Sequence, residues 1–213
     1  SPILSNIYLH YILDLWFERV VRKQFIGFAK LIRYADDFIV CFENRDEARK
    51  FSEMLKQRLA KFGLKVAESK SGVIEFGRTV WEKTRREGGN VATFDFLGFT
   101  HYCDKTRKGK FKLGRKTSAK KFRQKMIAIN GWLKNVRNLL KREEWWKVLK
   151  MKLVGHYRYY GISGNMKALQ KFYYLTSELA YKWLNRRSQK RSLCHSQFCR
   201  YLKATLPMPK IYH

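Results

Sequence analysis

Two neighbouring carboxylates, Asp36 and Asp37, are the residues of this chain best suited to do chemistry. Short β-prone runs flank them, Leu31-Ile32 before and Phe38-Ile39-Val40 after, and together predict a hairpin with the acidic pair at its tip. Like charges held this close repel, and a hard divalent cation that takes oxygen ligands relieves the repulsion. Two such ions a few ångströms apart can activate a hydroxyl and stabilise an anionic leaving group in an in-line displacement. An ordinary turn is the competing reading of the dipeptide alone, because Asp is common in turns. Cys194, His195 and Cys199 have poor spacing for zinc, and the two cysteines read as ordinary buried thiols. With only Cys41 and Cys103 besides, the cysteines are too sparse for a disulfide scaffold and fit a reducing cytoplasm.

The elements that must position the acidic pair can be read from periodicity. Residues 3–21 place Ile3, Ile7, Leu9, Ile12, Leu15, Trp16 and Val20 at helical spacing, behind a Pro suited to a first turn. A second helix is expected over 44–62, with Ala48, Phe51, Leu55, Leu59 and Phe62 on its stripe and Gly63 as its stop. Strands are expected around 65–67, 73–76, 93–102 and 110–113, with a charged, mobile loop at 85–90. Beyond Gly114 the pattern is helical. Phe122, Met126, Ile129, Leu133, Val136 and Leu140 form one stripe, and Leu169, Phe172, Thr176, Leu179 and Trp183 form another. A helix over 145–160 closed by Gly161, and a short one over 198–202, complete the set. The expected fold is α+β: an antiparallel sheet with helices over 1–114, then an all-α bundle over 115–213.

Charge divides at nearly the same place. Residues 1–103 hold 17 Lys/Arg against 13 Asp/Glu, a net of +4, whereas residues 104–213 hold 29 against 4, a net of +25. So basic a segment repels itself unless a polyanion is near, which makes nucleic acid the leading partner. With 45% hydrophobic residues the chain is a folded protein and not a basic tail. No run of about 18 apolar residues exists to cross a bilayer, and no signal peptide opens the chain. The chain starts at Ser1, already inside an apolar helical pattern, so a piece of a longer protein with a segment upstream is expected.

The motifs add a family resemblance. Tyr34-Ala35-Asp36-Asp37, preceded by Arg33, resembles the Y-x-D-D signature of reverse transcriptases in its bacterial group II intron form. Ser1-Pro2-Ile3-Leu4-Ser5-Asn6-Ile7-Tyr8-Leu9 resembles the tail of the motif just before it, and Gly63-Leu64 with Lys70-Ser71 the motif after it. Phe94-Asp95-Phe96-Leu97-Gly98-Phe99 resembles the primer grip. Gly155-His156-Tyr157-Arg158-Tyr159-Tyr160-Gly161 resembles the thumb, or maturase, segment of group II intron proteins.

That resemblance implies a polymerase palm over 1–114 followed by a thumb. Asp36 and Asp37 would bind two catalytic magnesium ions, and Tyr34 and Ala35 would lie under the primer end and the incoming nucleotide. Lys70 would protonate the pyrophosphate leaving group, although a solvated lysine is an equally simple reading. Leu97, Gly98 and Phe99 would hold the primer backbone. Lys120, Lys121, Arg123 and Lys125, with Arg186, Arg187, Lys190 and Arg191, would track phosphates. Tyr157, Tyr159 and Tyr160 would either stack on unpaired bases or pack between helices. The implied partners are intron RNA, an RNA template with a DNA primer, deoxynucleoside triphosphates and a separate N-terminal fingers and palm segment, with no membrane. The family draws a further catalytic aspartate from an upstream strand, and neither Asp14 nor Glu18 in the opening helix can replace it. The chain alone is therefore expected not to polymerise. An RNA-binding maturase is the alternative function, and a retron or CRISPR-associated relative a more distant one.

Overall fold

The computed structural model describes residues 2–186 and 193–213. They form two compact units, Ser1–Ala92 and Thr93–His213, and the class is α+β as expected. The division between these compact units falls before the strands at 94–117. The second unit's meander joins its helices because Phe99 packs against their core.

In the first unit the opening helix runs unbroken from α1 (Pro2–Leu9) to α2 (Arg22–Gln24). Between them, His10–Asp14 and Phe17–Val21 adopt wider, π-type turns. Each such turn accommodates an extra residue and swings the side chains round the axis. The buried set is accordingly Ile12, Leu13, Trp16, Phe17 and Val21, while Ile3, Ile7 and Val20 of the expected stripe are exposed. This face packs on Phe51, Leu55 and Leu59 of α3 (Arg45–Ala60).

Strands β1 (Ala29–Tyr34) and β2 (Asp37–Phe42) pair antiparallel in the register Tyr34↔Asp37 through Ala29↔Phe42. Leu31, Phe38, Val40 and Phe42 pack against the helical core, and this covering makes a lone hairpin stable. No ladder forms at 65–67 or 73–76, where every residue is described. Leu64 and Val66 are held by side-chain packing instead, and a 3-10 turn follows at Glu68–Lys70. Residues 85–87 belong to α4 (Arg78–Glu87), which ends where Gly88 turns left-handed at φ +77°. That helix buries no residue, so it leaves no apolar stripe to read.

The second unit opens with the meander β3 (Phe94–Phe96), β4 (Phe99–Lys105) and β5 (Phe111–Thr117). Helices α5 (Ala119–Val136), α6 (Arg142–Tyr160), α7 (Met166–Leu184) and α8 (His195–Thr205) follow. Ile129 and Leu133 of α5 and Leu169 and Phe172 of α7, on the two stripes that spacing predicts, meet Leu149 and Leu153 of α6 in one core. Buried polar groups join the parts. Asn165 accepts from the Thr117 amide at 3.0 Å and donates to Thr117 Oγ1 at 2.8 Å and to the Tyr160 carbonyl at 2.9 Å. Cys194 is exposed and caps α8, its amide donating to Gln197 at 3.1 Å, so it is not a buried thiol. Cys41 is exposed as well.

Gly161 shows how tightly the chain is folded here. A Cβ on it would strike the Tyr157 carbonyl and stand 2.7 Å from that of Lys210. The Tyr212 amide donates to the Gly161 carbonyl at 2.7 Å. Gly161→Ala should therefore destabilise this unit by about 1–3 kcal/mol, the usual range for overpacking. Urea unfolding followed by tryptophan fluorescence checks this, and a midpoint equal to the parent's would contradict it.

Candidate active site and nucleic-acid interface

Strand alternation decides what each residue of the acidic hairpin faces. Arg33 shares a face with Leu31, Phe38 and Val40, the face that meets the helical core. Tyr34 pairs with Asp37 on the opposite face, where Tyr34 is 68% exposed. Ala35 and Asp36 form the two-residue turn itself. Such a turn requires a positive φ at its first position, and Ala35 sits at +54°. A left-handed residue with a side chain costs roughly 1–2 kcal/mol.

One arginine bridges this turn to the opening helix. Arg33 donates from Nε and NH2 to the two carboxylate oxygens of Asp14, each at 2.7 Å. Its NH1 donates to Asn6 Oδ1 and to the Ala35 carbonyl, both at 2.9 Å. The hydrogen bonds from Arg33 hold the Asp14 carboxyl below its ordinary value, outweighing partial burial. The guanidinium is correspondingly raised. Sequence reasoning does not single out this pair. It weighs Asp14 only as a stand-in for a missing catalytic aspartate, and no local spacing links positions 14 and 33.

Asp36 and Asp37 are exposed, and among the described residues their side chains make no hydrogen bond or ion pair. Two free carboxylates on consecutive residues fit as oxygen donors to a hard cation such as magnesium, which keeps several waters and takes one or two carboxylates. Among the described residues no third His, Cys, Asp or Glu completes a metal-binding group with them. Lys70 is exposed at the end of its 3-10 turn.

In the second unit Leu97 and Gly98 form the turn between β3 and β4, both left-handed at φ +49° and +79°. A Cβ on Gly98 would stand 2.9 Å from the Tyr160 hydroxyl, which would have to shift, and the left-handed backbone there favours glycine in any case. Tyr159 donates its hydroxyl to the Leu97 carbonyl at 2.9 Å and stacks on Phe99, their ring centroids 5.9 Å apart. Asp95 accepts from Thr100 and, at 2.7 Å, from Ser118, which ties the turn to the start of α5. Tyr157 is 0% exposed, so its ring lies in the core and offers no face to a base in this structure. Tyr160 is buried too, whereas Tyr159 is 53% exposed. Burial beside Phe172, aided by the charge of Lys125, pushes His156 down to about 4, so it is neutral at physiological pH.

Lys120, Lys121, Arg123 and Lys125 are exposed on α5, with Lys121 and Lys125 on one side four residues apart. Arg186 is exposed, its guanidinium 5.6 Å from the Trp183 ring centre. Arg187, Lys190 and Arg191 lie outside the described residues. The β4–β5 ribbon adds cations that the motifs did not point to. Lys105, Arg107, Lys108, Lys110 and Lys112 are exposed along it, with Asp104 as the acidic residue of that stretch. Their signal was present as local charge density in the sequence.

The described residues thus hold an acidic hairpin turn in one unit and a strongly basic helical unit. The family model described as reverse transcriptase (RNA-dependent DNA polymerase) matches residues 1–101, a little under half the chain. The match supports a reverse-transcriptase-type nucleotidyl transfer activity, with template, primer and nucleotide as partners. None of the curated proteins compared matches the chain. Among the described residues no helix is long and apolar enough to cross a membrane.

The Arg33–Asp14 pair makes acid stability testable. A carboxyl depressed by folding adds stability that is complete above its unfolded value of 3.8 and is lost as pH falls through the lower folded value. Asp14→Asn should cost roughly 1–2 kcal/mol at neutral pH. The difference from the parent should shrink well below pH 3.8. Urea titrations at both pH values check this, and a constant difference would contradict it.

Proposed function

We propose that the chain is the palm-and-thumb portion of a bacterial group II intron-encoded reverse transcriptase, with palm over 1–114 and thumb over 115–213. The observation that carries this reading is the Asp36-Asp37 turn with its two free carboxylates, lying inside the segment that matches the reverse transcriptase model. Asp36 and Asp37 hold magnesium through carboxylate oxygens. When bound, that metal supplies activation of the primer 3′-hydroxyl and stabilisation of the pyrophosphate. Tyr34 and Ala35 shape the surface below the primer end, and Lys70 delivers a proton to the leaving group. Leu97, Gly98 and Phe99 contact the primer backbone from a turn braced by Tyr159. The exposed cations of α5 and the β4–β5 ribbon follow the phosphates of intron RNA or of the primer–template duplex. The setting is the bacterial cytoplasm.

A further carboxylate must reach the Asp36-Asp37 turn for catalysis, so the chain alone does not polymerise and an N-terminal fingers and palm segment restores activity. A maturase function is the second reading. It rests on the net charge of +25 over residues 104–213, which suits RNA binding whether or not copying occurs.

Template-primed DNA synthesis with magnesium, with and without an upstream segment added in trans, tests the polymerase reading. Extension is expected only with that segment, and Asp36→Ala should abolish it while leaving RNA affinity within twofold or so. Failure to extend in both mixtures, with tight RNA binding retained, would favour the maturase. Replacing Lys120, Lys121, Arg123 and Lys125 by Gln should flatten the dependence of log affinity on log salt by about 0.7–0.9 for each phosphate no longer neutralised. An unchanged slope would remove α5 from the interface.

A further inference from the structure

We propose that Arg33 and Asp14 form a positioning strut that holds the Ala35 carbonyl, and so presents the carboxylates of Asp36 and Asp37 to a divalent cation. This rests on the reading of those two residues as metal-holding. The guanidinium reaches three acceptors at once: the Asp14 carboxylate, Asn6 and the carbonyl of the left-handed residue Ala35. Ala35 adopts φ +54° with no steric licence of its own. Its carbonyl belongs to the peptide unit that also carries the Asp36 amide. A donor fixed at 2.9 Å on that oxygen therefore sets the plane from which the acidic residues project.

The helix is shaped to supply the other end. Asp14 closes the first π-type turn, His10–Asp14, an arrangement that costs regular hydrogen bonding and recurs at functional positions. The pair is bidentate and largely sheltered, with side-chain exposures of 13% for Arg33 and 25% for Asp14. Exposed ion pairs order little, whereas a forked, sheltered one fixes geometry.

Charge gives the strut a second effect. Arg33 stands three and four residues before two carboxylates that must stay free for a cation. With Asp14 present, the guanidinium charge is cancelled at its own site. Without it, Arg33 is a mobile cation that competes for Asp36 and Asp37. A merely structural pair would affect the unit as a whole. A positioning pair affects the turn and its ion affinity.

Amide hydrogen exchange in the full chain separates the two. Arg33→Gln should speed exchange at Tyr34 and Asp37, the pair closing the turn, by about tenfold, the effect expected of removing one charged hydrogen bond. Leu55 and Leu59 in α3 should keep their protection, and Arg33→Lys, which lacks the fork, should recover only part of the effect. Unchanged turn exchange, or equal acceleration at Leu55 and Leu59, overturns the strut. Mn2+ titration followed by water-proton relaxation supplies the second readout, with Asp36→Ala as the control for the site. Asp14→Asn should weaken Mn2+ binding by roughly tenfold, as one competing charge would, and adding Arg33→Gln to it should recover part of that loss. Parent-like Mn2+ affinity in Asp14→Asn overturns the charge argument. A parent chain that binds no Mn2+, yet loosens at the turn in Arg33→Gln, leaves the strut standing and removes the metal reading of Asp36 and Asp37.

Discussion

A two-residue turn between paired strands forces a left-handed backbone at its first position, and in this protein that position twice carries a side chain, Ala35 and Leu97. Each costs on the order of 1–2 kcal/mol, and each sits where a functional turn is expected. The structure meets both in the same way. A side chain donates to the strained residue's carbonyl: Arg33 to Ala35, and Tyr159 to Leu97, each at 2.9 Å. The turns are thereby held by distant elements. Their orientation depends on the opening helix in one unit, through Asp14, and on α6 in the other.

Much else follows from that bracing. The hairpin has only two strands and would be marginal alone, so one face must be covered. Alternation then dictates that Arg33 points to the covered side while Tyr34 and Asp37 stand on the open side. The same geometry buries the residue that positions and exposes the residues proposed to act. In the second unit the bracing removes Tyr160 from solvent and leaves Tyr159 half engaged with Leu97 and Phe99. An aromatic run that could suggest three base platforms is, in large part, a packing device.

The features legible from sequence are those that depend on near neighbours. The acidic hairpin, the α3 stripe through Phe51, Leu55 and Leu59, and the long stripes of α5 and α7 all follow from spacing of a few residues. What escaped depends on distance or on the absence of burial. Helix α4 buries nothing, so its charged sequence resembles a loop. The π-type turns shift the buried face from Val20 to Val21 in a way no fixed period anticipates. Arg33 and Asp14 are 19 residues apart, and only the fold brings them within hydrogen-bonding reach. Tyr157 could not be told from Tyr159 by composition, because helix rotation alone turns one inward and the other outward.

The charge division has a physical logic of its own. Free carboxylates that are to attract a divalent cation cannot share a surface with a dense field of lysines, since those cations would occupy the same oxygens. The first 103 residues are close to neutral, at +4, and there the neighbouring arginine is cancelled by Asp14. The remaining residues, at +25, carry the self-repulsion instead and can tolerate it because a large aromatic core holds α5, α6, α7 and α8 together. A bound polyanion relieves that repulsion in the folded state more than in an extended chain of lower charge density. Nucleic acid should then stabilise the second unit by mass action as well as occupy it. Along the sequence the two charge types are segregated, which suits the proposed roles of a cation-holding turn in one part and polyanion binding in the other.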